Sequence, residues 1–347
     1  MIYKGFTAVS SLVRRDFSRQ IRAMSNGRFQ VYVTRSDMPE SGVQLLKKQC
    51  DVKLWNEPTP VPRSEFLKAV SGVNGIYCSL TDKIDKELLD AAGPGLKVVA
   101  TISVGHDHID VAECKKRGIK IGYTPDVLTD ATAELTLALL LSTSRRLPEA
   151  MHEARTGGWV SWAPTWMTGP GLAGATVGIV GFGRIGQGVA RRVKSFNTAK
   201  ILYSNRSERP EAKEIGAIKV SFDELLAQSD FIICCAALVP ETKQMFNKSA
   251  FEKMKRSAIF VNTSRGGTVD QDALIDALKN NTIRAAGLDV TTPEPLPLDS
   301  PLFKLKNCVI LPHIGSASIE ARNTMSELTA SNILAALNNT DMPAEIK

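Results

Sequence analysis

The sequence lacks the features that mark membrane proteins and disulfide-stabilised proteins. Its longest apolar stretch, around Leu135 to Leu141, is interrupted by Thr136 and falls far short of the ~20 residues that cross a bilayer. The six cysteines show neither a CxxC pair nor zinc-ligand spacing, so we predict buried free thiols in a reducing compartment. His106 and His108 have no third ligand nearby in sequence, and we predict no metal site.

The chain also lacks a broadly distributed positive charge. Residues 1–28 hold six basic residues and one acidic residue, so most of the formal net charge of +7 lies there and the remainder is nearly neutral. This composition fits either a solvated tail of a cytoplasmic protein or a transit peptide that directs the protein to mitochondria. Neither interpretation requires a nucleic acid or a membrane as a partner.

Hydrophobic residues make up 43% and charged residues 23% of the 347 residues, which is typical of a soluble chain of about two domains. Strand-like runs alternate with helical patterns of about ten residues, which predicts the α/β class with parallel sheets. We expect two Rossmann-like, doubly wound domains with an active-site cleft between them. A substrate domain takes residues 29–126 and 318–347, and a dinucleotide-binding domain takes residues 127–317. A helix predicted over Thr129–Arg146, with a Thr cap and a stop at Pro148, begins the second domain.

A glycine motif carries the sharpest functional signal. Gly181, Gly183 and Gly186 follow a predicted strand and begin a predicted helix. In this context the first glycine permits a tight turn, the second lets the backbone approach a pyrophosphate, and the third allows helix and strand to pack closely. The motif therefore predicts a dinucleotide site.

The choice of dinucleotide is predicted from the end of the next strand. In NAD-binding proteins an acidic residue there bonds the ribose 2′-hydroxyl. Here the strand leads into Ser204, Asn205 and Arg206, and no carboxylate occurs before Glu208. Hydroxyl, amide and guanidinium donors suit a 2′-phosphate, so we predict NADP(H) as the cofactor, with NAD(H) binding more weakly.

Five motifs in order resemble the D-isomer-specific 2-hydroxyacid dehydrogenase family over roughly residues 29 to 345. They are Ser103-Val104-Gly105, the Gly181–Gly186 motif, Asn262-Thr-Ser-Arg265-Gly266, the run from Gly287 through Asp289 to Glu294-Pro295, and Pro312-His313-Ile-Gly315-Ser316. Such an enzyme needs a cation for the substrate oxygens and an acid that protonates the developing alkoxide. Arg265 suits the first role and His313 the second, with Glu294 holding the other ring nitrogen of the histidine.

The resemblance assigns catalysis to these three residues and implies further contacts. It places Asp289 at the nicotinamide and gives Val104 and Gly105 backbone N–H groups that receive the substrate carboxylate. It also places Trp162, in a tryptophan-rich segment, in the active site of a second subunit, which implies a homodimer. Further substrate and cofactor contacts are implied for Ser316, Arg184, Ile185, Ala237, Thr263 and Gly315.

The flanking sequence, including Gly158-Trp-x-Ser-Trp162, refines the function within this family. It implies an NADPH-dependent reductase that converts glyoxylate to glycolate and hydroxypyruvate to D-glycerate. Two alternatives stay open. One is a D-3-phosphoglycerate dehydrogenase, against which the missing ribose-binding acid argues. The other is a dinucleotide-sensing corepressor of the same fold, which acts by binding partners.

Overall fold

The computed structural model describes residues 27–347. Residues 1–26, and with them nearly all of the expected tail or transit peptide, lie outside the described part. The chain divides into two compact units, one formed by residues up to 124 together with 323–347 and the other by residues 125–322. Both are parallel α/β units, which confirms the predicted fold class. In the described part, no helix combines the length and apolarity needed to cross a membrane.

The first unit is built on a five-stranded sheet with strand order β2-β1-β3-β4-β5. Buried aliphatic and aromatic side chains, Phe66, Ile76 and Leu88 among them, pack between this sheet and its helices. The strands are β1 Gln30–Val33, β2 Asp51–Leu54, β3 Gly75–Cys78, β4 Val98–Thr101 and β5 Lys120–Gly122, and the helices are α1 Glu40–Gln49, α2 Arg63–Ala69, α3 Lys86–Ala92 and α4 Val111–Lys116.

The second unit is built on a seven-stranded sheet with strand order β12-β11-β10-β9-β6-β7-β8. Its strands are β6 Thr176–Val180, β7 Lys200–Ser204, β8 Ala217–Lys219, β9 Phe231–Cys234, β10 Ile259–Asn262, β11 Ala285–Leu288 and β12 Cys308–Ile310. Its helices are α5 Thr129–Ser144, α6 Leu147–Thr156, α7 Arg184–Lys194, α8 Glu211–Ile215, α9 Phe222–Gln228, α10 Lys248–Lys253 and α11 Gln271–Lys279. The last helix, α12 Ile319–Leu337, begins in this unit and continues in the first.

In the second sheet β6 lies between β7 and β9. Strands β7 and β8 are added on one side of β6, and β9 to β12 are added on the other side, so the strand order reverses at β6. Open α/β sheets bind ligands beyond the carboxyl ends of the strands at such a point. The glycine motif follows β6 directly, so the fold puts it where a dinucleotide site is expected.

Four local predictions differ from the structure. The helix expected over Thr129–Arg146 ends at Ser144, and its first turn has no side-chain cap. Pro148 does not stop a helix but lies in the first turn of α6, where a missing N–H costs nothing. The cysteines are free thiols as predicted, but Cys235 and Cys308 are only partly buried.

Candidate active site

The glycine turn after β6 has the geometry that a bound pyrophosphate needs. Gly181 has a φ of +89°, and a Cβ there would lie 2.5 Å from the backbone nitrogen of Ala236. A Cβ on Gly186 would lie 2.2 Å from the carbonyl oxygen of Gly181. A Cβ on Gly183, by contrast, would meet no atom within 4 Å. Only glycine fits the first and third positions, and the second faces open space at the start of α7 into which an anion fits.

The loop after β7 lies against this turn. The backbone N–H of Gly181 donates to the carbonyl oxygen of Ser204 at 2.9 Å. The N–H of Phe182 donates to Oδ1 of Asn205 at 3.2 Å, and Nδ2 of Asn205 donates to the carbonyl oxygen of Ser207 at 3.0 Å. Arg206 is exposed. The structure therefore brings Ser204 and Asn205 beside the glycine turn and leaves Arg206, the next residue, exposed to solvent.

Strand register aligns the residues predicted to carry the chemistry. Asn262 of β10 pairs with Leu288 of β11, and Leu288 pairs with Ile310 of β12, so these three residues form one row across the sheet. Arg265 and His313 each follow that row by three residues. Carboxyl ends of adjacent parallel strands meet at one edge of a sheet, which brings these two side chains to the same edge.

His313 and Glu294 form a close pair at this edge. Nδ1 of His313 lies 2.7 Å from Oε2 of Glu294, and the two side chains are 23% and 31% exposed. Glu294 Oε1 also accepts from the N–H of Thr291 at 3.0 Å. Burial alone would raise the pKa of Glu294. The hydrogen bond with His313, that of Thr291 and the charge of Arg265 outweigh burial and hold this pKa below its ordinary value.

The backbone of His313 is itself unusual. Its φ of +55° lies in the left-handed region, which few residues other than glycine adopt. Its N–H donates to the carbonyl oxygen of Asp289 at 2.8 Å, which anchors the turn to the end of β11. Strained backbone of this kind occurs preferentially at functional sites, where the surrounding structure enforces it.

Asp289 is 1% exposed and organises the loop that carries His313. Its two carboxylate oxygens accept from the N–H groups of Ile314 and Gly315, each at 2.8 Å. Burial raises the pKa of Asp289 despite these two bonds. The residue predicted to contact the nicotinamide therefore uses both oxygens within the protein to fix the loop.

Arg265 depends on a residue that the sequence analysis did not include in the site. Asn262 is fully buried at the end of β10, and its Nδ2 donates to the carbonyl oxygen of Arg265 at 3.0 Å. Its Oδ1 accepts from both the N–H and the hydroxyl of Ser264. These bonds shape the turn from which Arg265 projects. The sequence signal that could have identified Asn262 as a site residue is the presence of a polar residue at the end of an apolar strand.

The other predicted site residues of the second unit differ in exposure: Thr263 is buried, and the rest are exposed or partly exposed. Thr263 is buried, with its hydroxyl 2.7 Å from that of Thr136. Arg184 is exposed and forms a salt bridge with Asp126. The exposed or partly exposed members are Ile185, Ala237, Ser316 and Trp162.

Val104 and Gly105 belong to the first unit, where they are partly exposed. The hydroxyl of Ser103 donates to the carbonyl oxygen of Gly105 at 2.6 Å. It also lies 2.8 Å from the hydroxyl of Thr101. These bonds hold the loop that follows β4. The role of its N–H groups toward a substrate stays a prediction.

This combination of a Rossmann-type sheet, a glycine turn and a paired histidine defines a dinucleotide-dependent oxidoreductase. Residues 137–315 match the family model of the D-isomer specific 2-hydroxyacid dehydrogenase NAD-binding domain. The chain belongs to this family.

Relatives narrow the comparison further. The chain is 54% identical to the human glyoxylate reductase/hydroxypyruvate reductase over 91% of this chain and 97% of that protein. A crystal structure of a Thermus thermophilus protein superposes with a TM-score of 0.86 at 41% identity, covering 92% of this chain and all of that one. A Sinorhizobium meliloti NADPH-dependent glyoxylate/hydroxypyruvate reductase in complex with NADP and malonate gives a TM-score of 0.79 at 31% identity, covering 92% of this chain and 97% of that one.

Proposed function

We propose that the protein is an NADPH-dependent reductase that converts glyoxylate to glycolate and hydroxypyruvate to D-glycerate. The observation that carries this proposal is the pair of His313 Nδ1 and Glu294 Oε2, 2.7 Å apart, at the sheet edge that also presents Arg265. The pair provides a proton donor and the arginine provides a cation for substrate oxygens, which together suit a small 2-oxo acid. The reductase activity of relatives at 54% identity supports the same substrate class.

A bound nicotinamide cofactor supplies the hydride that reduces the carbonyl carbon. Arg265 holds oxygens of the substrate and stabilises negative charge on the carbonyl oxygen. The carboxylate of Glu294 holds Nδ1 of His313, so Nε2 is the atom that donates a proton to that oxygen. The 2-hydroxy acid then leaves, and His313 regains its proton from the solvent.

The preference for NADPH rests on the loop that follows β7. Ser204 and Asn205 lie beside the glycine turn, and Arg206 is exposed next to them. A guanidinium group and neutral donors favour a 2′-phosphate, which a carboxylate would repel. The NADP complex of the Sinorhizobium meliloti relative supports the same preference.

We also propose that the protein acts as a homodimer. Trp159 and Trp162 are 63% and 82% exposed, and α6, which precedes them, has no buried residue. Large apolar groups that a single chain leaves in solvent mark a surface for another chain. A second copy covering this segment fits the role that the family resemblance implies for Trp162.

Initial rates of NADPH and NADH oxidation test the proposal. We expect rapid NADPH oxidation with hydroxypyruvate and glyoxylate but not with phosphohydroxypyruvate. His313→Ala should abolish the rate, and Arg206→Ala should lower kcat/KM for NADPH about 10- to 100-fold while leaving NADH nearly unchanged. Lys213→Ala, which removes an exposed cation from α8, is the control. Turnover of phosphohydroxypyruvate with NADH would favour a phosphoglycerate dehydrogenase. Tight dinucleotide binding without turnover would favour a corepressor.

A further inference from the structure

A cavity lies in the unit formed by residues 125–322, at the edge of the sheet opposite the glycine turn. Its volume is ≈ 650 Å³, within the range of small-molecule sites. The lining includes Arg256, Arg284 and Lys306, which lie one to three residues before β10, β11 and β12. Because these strands are parallel neighbours, their amino-terminal ends bring the three cations to one place.

The three cations form no salt bridge within residues 27–347, although the charge of Lys306 acts on the carboxylate of Glu149 in the same lining. In the same unit Arg146, Arg184 and Arg192 do form salt bridges with carboxylates. Together with Arg146 the lining holds four cations and one carboxylate, so its like charges repel one another and a bound anion relieves that repulsion.

Among the described residues that line the cavity, Glu149 is the one carboxylate, and it already forms a salt bridge. Arg146 donates from Nε and Nη2 to the two oxygens of Glu149 at 2.8 and 2.7 Å. That hydrogen-bonded pair, aided by the charge of Lys306, holds the pKa of Glu149 below its ordinary value. The cavity as a whole therefore presents an excess of positive charge.

The rest of the lining suits an organic ligand. Asn281 and Ser257 supply neutral polar groups, and Pro148, Ala285 and Val309 supply apolar surface. Nδ2 of Asn307 bonds the carbonyl oxygens of Leu278 and Arg284, each at 3.2 Å, and so ties together the loops before β11 and β12. We propose that this cavity binds a small organic anion that carries phosphate or several carboxylate groups, at a site separate from the dinucleotide and substrate sites.

The position of the cavity makes simultaneous binding of both ligands possible. Gly181, Arg265 and His313 follow the carboxyl ends of their strands, whereas Arg256, Arg284 and Lys306 precede the amino-terminal ends. An anion in the cavity thus leaves the glycine turn free. This separation distinguishes the new site from binding of the same anion at Arg206 or Arg265.

Isothermal titration of the full-length protein, saturated with NADPH, tests the proposal. The probes are inorganic pyrophosphate and propane-1,2,3-tricarboxylate, which separate the phosphate and carboxylate versions of the ligand. Arg256→Ala and Arg284→Ala should each weaken the binding of the preferred probe about tenfold, because each removes one charge-assisted contact. Glu149→Gln should strengthen it. Lys279→Ala removes an exposed cation at the end of α11 outside the lining and serves as the control.

Binding of one probe per chain that persists in Arg206→Ala and Arg265→Ala, and follows the pattern above, supports the site. Loss of binding in either of those two variants would place the anion at the dinucleotide or substrate site and overturn the proposal. Equal weakening by Lys279→Ala would reduce it to diffuse surface charge. Failure of both probes to bind at millimolar concentration would also refute the proposal. If neither probe binds and the Arg256→Ala/Arg284→Ala variant changes its oligomeric state, this face is a subunit interface and not an anion site.

Discussion

Replacing Glu294 by glutamine tests the proton donor most directly. The change removes the negative charge 2.7 Å from Nδ1 of His313 and keeps the side-chain length. A hydrogen bond to a charged group contributes about 1.5–3 kcal/mol, against about 1 kcal/mol for a neutral pair. Because both side chains are partly solvated, at 23% and 31% exposure, we take the difference as about 1 to 1.5 kcal/mol. This energy supports His313 as the proton donor, and about 1.4 kcal/mol corresponds to a tenfold change in rate.

We therefore expect kcat/KM for hydroxypyruvate reduction to fall about tenfold in Glu294→Gln at neutral pH, because His313 loses the charged partner that holds its Nδ1. Initial rates of NADPH oxidation at neutral pH measure this loss. Asp299→Asn, which changes an exposed carboxylate nearby in sequence, should leave the rate unchanged. A native rate in Glu294→Gln would show that Glu294 does not support the proton donor and would refute the reasoning.

Three further substitutions probe the second unit. Gly181→Ala should lower both the melting temperature and the affinity for NADPH, because its Cβ would lie 2.5 Å from backbone. Gly183→Ala should lower only the affinity, because its Cβ would meet no atom within 4 Å. Thermal denaturation measures the first effect and fluorescence titration with NADPH the second. Phe246→Ala should cost about 3–5 kcal/mol in urea unfolding, since that ring is fully buried. Burial raises the pKa of Asp230, but its bonds with Lys255 and Thr176 outweigh burial and lower it. Its contribution to stability is therefore present at neutral pH and lost as the pH falls through the lowered pKa. Asp230→Asn should thus destabilise the protein in urea at neutral pH and not in strong acid.

The alternation of strands and helices predicts the fold class because each parallel strand is a short apolar run. Strand β8 was not predicted because it is not a short apolar run. Its residues lie at the edge of the sheet, where Ala217 is partly exposed and Ile218 and Lys219 are exposed. The start of α6 was misinterpreted for a different reason. Pro148 is compatible both with the end of one helix and with the first turn of the next, and only the chain path, with Arg146 in the left-handed region, decides between them.

The candidate site was predictable to the extent that it depends on residue type. A histidine, a carboxylate and an arginine in the family's order indicate the chemistry, and the hydrogen bond between His313 and Glu294 joins two of them in space. Sequence could not predict how the backbone presents them. The left-handed φ of His313 accompanies an N–H bond to Asp289, which is distant in sequence, so no local pattern encodes it. The bonds of Asn262 to the Arg265 turn are local, and a polar residue at the end of a buried strand was their only sequence signal.

The alignment of Arg265 with His313 depends on strand register, and Asp289 is the residue that secures it. A shift of one residue between β11 and β12 would move the chain that leads to His313 by about 3.3 Å and turn the side chains of β12 to the opposite face of the sheet. After the last paired residue of β12, the N–H of Leu311 donates to the carbonyl oxygen of Leu288 at 2.7 Å. The N–H groups of Ile314 and Gly315 donate to the carboxylate of Asp289. These bonds can form in one register only. A buried carboxylate that burial itself disfavours is thus retained where it fixes the position of the proton donor relative to the cation.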